Sequence, residues 1–376
     1  MEEIASQPLS IKGVSIAPRL VLAPMSGVTN SCFRRLVKSL NPGAVGLLVT
    51  EFISVEGLTR QNQQSLRMMR FAPEERAVSV QIFGHEVSRM VEAAKMVEAS
   101  GADIIDINSG CPVPKVVRRG GGCELMRQPE HMEKLLTAVQ KAVSIPLTLK
   151  IRAGWDLANR NALQIARIAE GCGVAMLSVH GRTRAEGYRG SADWGLIGEV
   201  ARSVSIPVIG SGDVVDGDSA KRAFATGVSG VMIGRAALSN PWVFSEVLSA
   251  LEGRAFVRPS AAATAEVLVR YAELLLAELP EKAVIGRLKQ LASQVTRRVR
   301  GTAHIRRELC RSSSVDQFRE QLARWSEELN HFPERYEVLT AASVAAEERV
   351  GEVEREVVHE ASAHKVEMMS PNDLCQ

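Results

Sequence analysis

The sequence lacks the features that mark metal-binding, exported and membrane proteins. Its 376 residues include six cysteines and no CxxC pair, which argues against a zinc site or an iron–sulfur cluster. No apolar run approaches the ~20 residues that span a bilayer, and the acidic start MEEIASQPLSIKG contains no apolar leader segment. We therefore expect a protein without a metal that works in the reducing cytoplasm and not in a membrane.

Aromatic residues are also scarce, at 4% of a chain that is 45% apolar. This composition favours an aliphatic core of the kind that parallel strands and covering helices build. The motif GxGxxG is missing from the first turn, which argues against a doubly wound dinucleotide fold. The length predicts one large domain and a smaller one.

Apolar runs rich in β-branched residues alternate with segments of helical periodicity through the first two thirds of the chain. The runs are LVLAPM at 20, VGLLVTEF at 45, AVSVQIFG at 77, DIIDIN at 103, PLTLKIR at 146, AMLSVH at 175, IPVIGSG at 206 and GVMIGR at 230. Eight strands that alternate strictly with helices predict a closed (β/α)8 barrel, or TIM barrel. Apolar spacing predicts two of the helices over 85–100 and 129–143.

Beyond about residue 250 the strand pattern stops, and the chain from residue 261 onward predicts helices only. The stretch GRAFVRPSAAAT is typical of a linker. We expect a catalytic barrel over 12–252, an all-helical domain over 258–342 and an acidic, disordered tail over 343–376. Residues 281–311 hold nine Lys/Arg against two Glu, a balance that suits a polyanionic partner.

The active site of such a barrel lies at the carboxyl ends of its strands, so polar residues there indicate function. Those ends carry Pro24 to Ser26, Gln81, Asn108, Lys150 with Arg152, His180 with Arg182, Ser211 to Asp213, and Gly234 with Arg235. The last two ends predict a phosphate site, because Gly212 and Gly234 let backbone amides approach an anion and Arg235 adds charge. A lysine and an amide beside that site fit the ring of FMN, and they fit a sugar phosphate equally well.

A cysteine follows the fourth strand, in the stretch INSGCPVPK. Most free cysteines are core residues, but a Gly-Cys-Pro turn followed by Pro114 predicts a rigid, exposed loop around Cys111. A thiol near its ordinary pKa of ~8.5 is protonated at neutral pH and can donate a proton. Cys123 lies close to Cys111 in the sequence, and an oxidised pairing of the two stays open.

These motifs resemble those of the tRNA-dihydrouridine synthases, above all their bacterial B-type branch, over about residues 12–310. The matching segments are LAPMSGVTN, QIFG, DINSGCPVPKV, LTLKIRAGWD, VHGRTRAEGYRGSADW, IPVIGSGDV and GVMIGRAALSNPWVF. The resemblance implies a flavoenzyme that uses FMN, reduced by NADPH, to saturate the C5–C6 bond of particular uridines in tRNA. Ser109, Pro114 and residues 120–123 depart from the family pattern, which bears on the mobility of this loop.

Position by position, the resemblance also implies roles for individual residues. FMN contacts fall on Pro24, Met25, Ser26, Gln81, Lys150, His180, Ser211, Gly212, Asp213, Gly234 and Arg235. Cys111 becomes the donor of a proton to C5 of the uracil after hydride has reached C6. We expect substrate contacts at Asn108 and Arg182 in the barrel, and at Arg297, Arg298 and Arg300 in the helical domain.

A helical register through the basic segment places Arg300, His304, Arg307 and Arg311 on one stripe, which suits a tRNA backbone. The target base must leave its loop to enter the barrel mouth. Two alternatives stay in view: a small-molecule FMN oxidoreductase of the dihydroorotate dehydrogenase type, and a non-catalytic RNA-binding protein. We expect a monomer, and the sequence leaves open the uridine position and the choice between NADPH and NADH.

Overall fold

The computed structural model describes residues 7–344, in which eight parallel strands close into a barrel. The strands of the described range are β1 (Leu9–Ile11), β2 (Val14–Ile16), β3 (Leu20–Leu22), β4 (Leu47–Val49), β5 (Ile53–Ser54), β6 (Val78–Phe83), β7 (Ile104–Ser109), β8 (Leu147–Arg152), β9 (Met176–His180), β10 (Val208–Ser211), β11 (Gly230–Ile233), β12 (Val299–Arg300) and β13 (Glu337–Val338). Strands β3, β4 and β6 to β11 pair in chain order, and β11 returns to β3 with Val231 opposite Leu20. The predicted TIM barrel is confirmed, with a strand at each of the predicted runs.

Helices cover the outside of the barrel and form the region that follows it. In the described range they are α1 (Ser31–Leu40), α2 (Val55–Thr59), α3 (Gln63–Met69), α4 (Val87–Ala99), α5 (Pro114–Val117), α6 (Pro129–Ala142), α7 (Ala162–Gly171), α8 (Trp194–Ser203), α9 (Gly217–Phe224), α10 (Ala236–Ser239), α11 (Val243–Leu251), α12 (Ala261–Glu278), α13 (Glu281–Val295), α14 (Ala303–Arg311) and α15 (Val315–His331). Helices α4 and α6 fall within the predicted ranges 85–100 and 129–143.

Side chains along the barrel strands alternate between the covering helices and the barrel interior. Outward residues such as Ile105, Leu149 and Val179 join the helices in the main aliphatic core. Inward residues near the strand starts form an apolar lower layer: Val21, Leu47, Ile104, Met176, Ile209 and Met232. The inward residues that follow along the strands toward their carboxyl ends form a polar upper layer: Gln81, Asp106, Asn108, Thr148, Lys150, Arg152, His180 and Ser211. The lower part of the barrel interior is therefore a packed apolar core. The upper part, at the carboxyl ends of the strands, carries polar and charged side chains and is called the mouth below.

The hairpin of β1 and β2 packs against the lower layer. Its strands are antiparallel, with Ile11 opposite Val14 and Leu9 opposite Ile16. Ile11 and Ile16 are 3% and 0% exposed and share the apolar cluster of the barrel interior. The hairpin thus excludes water from the end of the barrel opposite the polar mouth.

Several helices that follow barrel strands begin at a side-chain cap that the sequence supplies. Asn30, Asp193 and Asp216 each accept a hydrogen bond from the backbone N–H three residues further on, at Phe33, Leu196 and Ser219 respectively. Such caps satisfy donors that a helix start leaves unpaired and are each worth about 1 kcal/mol. They fix the helix starts close to the strand ends at which the polar residues lie.

The region after the barrel is helical apart from one short strand pair. Residues 252–260 contain no helix or strand, which agrees with the predicted linker, and α12 begins at Ala261. Val299 lies opposite Val338, so β12 and β13 form a two-stranded ribbon where only helices were expected. The helix α13 has already ended at Val295, and β12 is followed by Gly301, which has φ +90 and where a Cβ would lie 2.4 Å from the Arg335 carbonyl oxygen, so this turn requires glycine.

Helix α12 of this region packs on α1 of the barrel. The Asn30 amide donates to the Tyr271 hydroxyl at 3.4 Å, and the Cys32 thiol donates to the Leu274 carbonyl at 3.3 Å. Because α1 follows β3, this contact places the helical region next to the first strand end of the mouth.

The predicted limits of the three segments, 12–252, 258–342 and 343–376, stay predictions. Nearly all of the predicted acidic tail, residues 345–376, lies outside the described residues. Within residues 7–344, no helix is long and apolar enough to cross a membrane.

Candidate active site

The closed barrel brings the predicted strand-end residues together. The strand register places Asn108 beside Lys150, and it places His180 between Arg152 and Ser211. Gln81 stands beside Asp106 on the neighbouring pair of strands. A basic, hydrogen-bonding surface therefore lines one side of the mouth.

The ends of β10 and β11 form a tight backbone corner. Gly212 has φ +128, and a Cβ there would lie 2.5 Å from the Ala192 Cβ, so this position has no room for a side chain. At Gly234, a Cβ would approach Ala23 and the Met25 sulfur at 3.4 and 3.7 Å. The Arg235 side chain is 56% exposed, and its guanidinium lies 3.4 Å from the Asp213 carboxylate, which places a positive charge at the surface of this corner. These features suit a phosphate group.

Asp213 and Arg182 hold the loop beside this corner. The buried Arg182 guanidinium donates to the Asp213 carboxylate at 2.9 Å and to the Arg189 carbonyl at 2.9 Å. Asp213 also accepts the Ala192 backbone N–H at 2.7 Å. The Arg182 guanidinium thus holds the loop over residues 183–193 through these partners, and its predicted contact with substrate stays a prediction.

The upper layer places two cationic side chains next to a neutral histidine. The half-buried Lys150 has its pKa lowered from 10.5 to about 8, by burial first and then by the Arg152 guanidinium. Among residues 7–344, no acceptor lies within hydrogen-bond reach of its ammonium group. Burial, with Lys150 and Arg152, lowers the pKa of His180 to about 2, so its ring is neutral at physiological pH.

The neutral His180 ring has a defined tautomer. Its Nδ1 accepts the Arg182 backbone N–H at 3.3 Å, which leaves the ring proton on Nε2. A Cβ on Gly212 would lie 3.6 Å from Nε2, so this nitrogen faces the tight corner. The ring therefore offers one N–H donor toward the phosphate side of the mouth.

Asn108 and Gln81 form a chain of hydrogen bonds that ends at the cysteine turn. The Asn108 side-chain oxygen accepts the backbone N–H groups of Gly110 at 3.1 Å and Cys111 at 2.9 Å. Its amide nitrogen donates to the Gln81 side-chain oxygen at 2.8 Å. Asn108, predicted to contact substrate, is thus tied to the turn that carries Cys111.

Cys111 lies in this turn and is only 6% exposed, whereas the sequence predicted an exposed loop. The difference arises because a 3-10 turn, Gly122–Arg127, folds over it, and the Cys123 N–H donates to the Cys111 carbonyl at 3.1 Å. A Cβ on Gly122 would lie 2.5 Å from that carbonyl, so the close packing requires glycine. Local turn signals predicted the shape of the loop and carried no information about what covers it.

Burial also sets the protonation state of the two cysteines. Burial raises the pKa of Cys111 above its ordinary value, against the opposing effects of the Val113 N–H, Arg152 and Lys150. Burial raises the pKa of Cys123 to about 12. Both are free thiols in this structure, so each carries its proton at neutral pH.

Comparison with known proteins assigns this arrangement to a family. The family model described as dihydrouridine synthase matches residues 21–331, most of the barrel and the helical region. The chain belongs to the dihydrouridine synthase family. The predicted resemblance is therefore confirmed.

Relatives from several bacteria support the family assignment. The chain is 43% identical over 269 residues to tRNA-dihydrouridine synthase B of Xanthomonas axonopodis pv. citri, which covers 71% of this chain and 80% of the relative. It is 45% identical over 231 residues to tRNA-dihydrouridine synthase B of Pseudomonas putida, and this match covers 61% of this chain and 67% of the relative. A probable tRNA-dihydrouridine synthase of Rhodobacter capsulatus is 43% identical over 249 residues, covering 66% and 76%.

The basic residues predicted for the helical part of this dihydrouridine synthase family member have different environments. Arg298 is 7% exposed, and burial lowers its pKa. Arg297 is exposed, and Arg300 pairs with Glu337 on the strand ribbon. Because Arg300 lies in β12, the stripe expected from one continuous helix is interrupted before α14.

Two residues of the site were missed by sequence reasoning. Tyr188 is 59% exposed, lies edge-on to the His180 ring at 6.5 Å, and has the Arg235 guanidinium 4.6 Å from its own ring centre. The buried Asp106 lies under Gln81 in the upper layer. Asp106 could have been found from the sequence, because an acidic residue inside an otherwise apolar strand is unusual. Tyr188 could not, because it lies on a loop whose path the sequence did not predict.

Proposed function

We propose that the chain reduces particular uridines in tRNA to 5,6-dihydrouridine, with FMN as its bound cofactor and NADPH as the reductant. The observation that carries the proposal is a buried, protonated Cys111 thiol in the same mouth as the Lys150 ammonium group, which has no hydrogen-bond partner within residues 7–344. The relatives named tRNA-dihydrouridine synthase B support tRNA as the substrate. The proposal places the enzyme in the cytoplasm as a monomer.

The upper layer and the β10–β11 corner fit FMN. Gly212 and Gly234 form a tight backbone corner that we assign to the phosphate, and His180 and Arg235 provide an N–H donor and a positive charge beside it. Lys150 offers a cation to a ring that gains negative charge on reduction. We assign Gln81 to the same site, where its buried amide donates to Asp106 and accepts from Asn108.

The remaining predicted cofactor residues lie around the same corner. Pro24, Met25 and Ser26 follow β3, and the Met25 N–H donates to the Thr29 hydroxyl at 2.9 Å, which fixes this loop. Ser211 ends β10, next to Gly212 and Asp213. We assign these residues to cofactor binding, with Asp213 acting through the loop that it holds with Arg182.

The reduction needs one hydride and one proton. Bound reduced FMN supplies the hydride for C6 of the uracil. Cys111 holds the proton for C5, and its loss leaves a thiolate that Arg152 and Lys150 stabilise by their charge. A proton from water then restores the thiol. Asn108 keeps the cysteine turn in place while the base occupies the mouth.

The helical region is assigned to tRNA backbone binding. Its segment 281–311 is strongly basic, and it includes Arg297 and Arg300 on the surface. Arg287 of α13 lies close enough to Glu51, at the end of β4, to lower the pKa of that carboxyl against the effect of burial. The positive charge of the helical region thus extends to the barrel mouth. This arrangement favours an RNA over the small substrate of a dihydroorotate dehydrogenase type of enzyme.

The test uses the full chain with added FMN, NADPH and an unmodified tRNA transcript. Mass spectrometry of the digested RNA measures the gain of two hydrogens at individual uridines. We expect defined uridines to gain this mass, and reactions without FMN to leave them unchanged. A flavin-loaded protein that reduces no uridine in any tRNA of its host would contradict the proposal.

A further inference from the structure

The polar groups of the upper layer form one continuous chain across β8, β7 and β6. The Thr148 hydroxyl donates to one oxygen of the Asp106 carboxylate at 2.5 Å, and the Gln81 amide nitrogen donates to the other at 2.6 Å. Gln81 then accepts from Asn108, and Asn108 accepts from the Cys111 backbone N–H. All four side chains in this chain are at most 5% exposed.

The direction of these hydrogen bonds is fixed at both ends. A backbone N–H can only donate, so the Cys111 turn requires the Asn108 oxygen and leaves the Asn108 nitrogen for Gln81. Gln81 must then present its oxygen to Asn108 and its nitrogen to residue 106. The chain therefore needs an acceptor at its far end, which the carboxylate of Asp106 supplies.

We propose that Asp106 is a positioning residue for Cys111, which sets the orientation of the Gln81 and Asn108 amides and through them holds the proton-donating turn. The inference rests on the proposed function, because it gives Cys111 the role of proton donor. It also gives Asn108 a purpose other than contact with the base. Both polar atoms of the Asn108 amide are engaged within the protein, one of them with two backbone donors.

Asp106 is suited to this role by its surroundings. Burial raises the pKa of Asp106 to about 6, while the hydrogen bonds from Thr148 and Gln81 and the charge of Lys150 lower it. The carboxyl group is therefore ionised at neutral pH and accepts through both oxygens. A buried polar network whose members are all paired holds one arrangement, whereas one mismatched pair disturbs the whole.

The series of hydrogen bonds from Asp106 to the Cys111 turn can be broken by one substitution and restored, with its donors and acceptors reversed, by a second. In Asn108→Asp, carboxylates lie on both sides of the Gln81 amide, and both need a donor. The Gln81 nitrogen can face only one of them, so the Gln81 oxygen is left against the other carboxylate. In the double variant Asp106→Asn/Asn108→Asp, the carboxylate at 108 accepts from Cys111 and Gln81, and the amide at 106 donates to Gln81. Thr148 keeps its role as a donor, and the net charge is unchanged.

The experiment measures the alkylation rate of Cys111 by iodoacetamide in the full chain without cofactor, read at this cysteine by peptide mass spectrometry. We expect Asn108→Asp to raise the rate at least tenfold, because a mispaired buried group frees the turn. The double variant should return to within about threefold of the natural protein, since the rebuilt chain holds the turn again.

A matched control separates this effect from a general loss of stability. Asn41→Asp alters another buried amide, which donates to the Val37 and Pro241 carbonyls at 2.7 Å each and accepts the Ser245 N–H. It should lower the melting temperature and leave the Cys111 rate unchanged. If Asn108→Asp alone does not fold, a soluble double variant with the natural rate supports the proposal, and an insoluble one overturns it.

Two results would overturn the inference: an unchanged rate in Asn108→Asp, or a double variant as reactive as the single one. Neither depends on the formation of dihydrouridine, so failure of the proposed function is seen separately in the tRNA assay. In that assay, turnover at saturating tRNA should fall in Asn108→Asp and recover in the double variant. FMN affinity is followed in parallel, because the rebuilt chain reverses the Gln81 amide.

Discussion

Lys150 lies directly beside Asn108 in the register of β8 and β7. The pairing brings an ammonium group with no acceptor in the described range next to the amide that holds the Cys111 turn. The charge of Lys150 also opposes the rise in the Cys111 pKa that burial produces. Lys150, assigned to the cofactor, thus lies next to Asn108, which holds the turn of the proposed proton donor Cys111.

Replacement of Lys150 by methionine should stabilise the protein without cofactor and weaken FMN binding. The folded-state pKa of about 8 lies below the ordinary 10.5, so the charged lysine destabilises the fold at pH 7. We expect Lys150→Met to add about 2–3 kcal/mol to the free energy of unfolding at pH 7, and to weaken FMN about 10–100-fold by loss of a charged partner. Urea unfolding and flavin fluorescence measure the two effects.

The pH dependence of that stability has a definite sign. Between pH 8 and 10.5 the unfolded chain holds the Lys150 proton more tightly than the folded one, so stability rises with pH across this window. The rise should be smaller in Lys150→Met over the same range. Equal slopes in the two proteins would show that Lys150 is not destabilised by burial.

Replacement of Cys111 by alanine should remove the reaction and spare the cofactor site. Loss of a general acid lowers the rate about 10²–10⁴-fold, while the groups assigned to FMN are untouched. The comparison variant is Cys172→Ala, a half-buried thiol that donates to the Glu133 carbonyl on the outer helices. Dihydrouridine formation at the natural rate in Cys111→Ala would exclude the thiol as proton donor.

Replacement of Gly212 by alanine should disrupt the phosphate corner. The new Cβ would lie 2.5 Å from the Ala192 Cβ, and residue 212 has a φ of +128, which L-residues rarely adopt. The backbone of the corner must therefore move. We expect a loss of at least about 1 kcal/mol in stability and a clear loss of FMN affinity. Gly171→Ala is the control, because a Cβ on this helical residue meets nothing within 4 Å, and it should gain about 0.5–1 kcal/mol. Normal FMN binding by Gly212→Ala would remove this corner from the cofactor site.

Charge reversal in the helical region should weaken binding to all tRNAs alike. Arg297→Glu and Arg300→Glu change surface residues, whereas Arg298 is too buried for the same test and its reversal should mainly destabilise the fold. We expect each reversal to weaken tRNA about tenfold at low salt and to reduce the salt dependence, measured by filter binding. Lys141→Glu, exposed on α6, should leave affinity unchanged.

The sequence predicted the strands and the mouth residues because these depend on local patterns. Alternating apolar runs fixed the barrel, and barrel closure alone then brings Gln81, Lys150 and His180 together. The burial of Cys111 and the pairing of Arg182 with Asp213 could not be predicted in this way, because they depend on segments that follow later in the chain and are brought close only by the fold. The strand at Arg300 was missed for the same reason: its partner at Glu337 lies beyond the next two helices.

The two layers of the barrel interior have a consequence for protein engineering. The outer core and the aliphatic lower layer stabilise the fold, while the buried charge of Lys150 in the upper layer destabilises it. Searches for heat-resistant variants will therefore find substitutions at Lys150 that raise the melting point and inactivate the enzyme. Thermostable and competent forms should instead come from changes around the N-terminal hairpin and the outer helices.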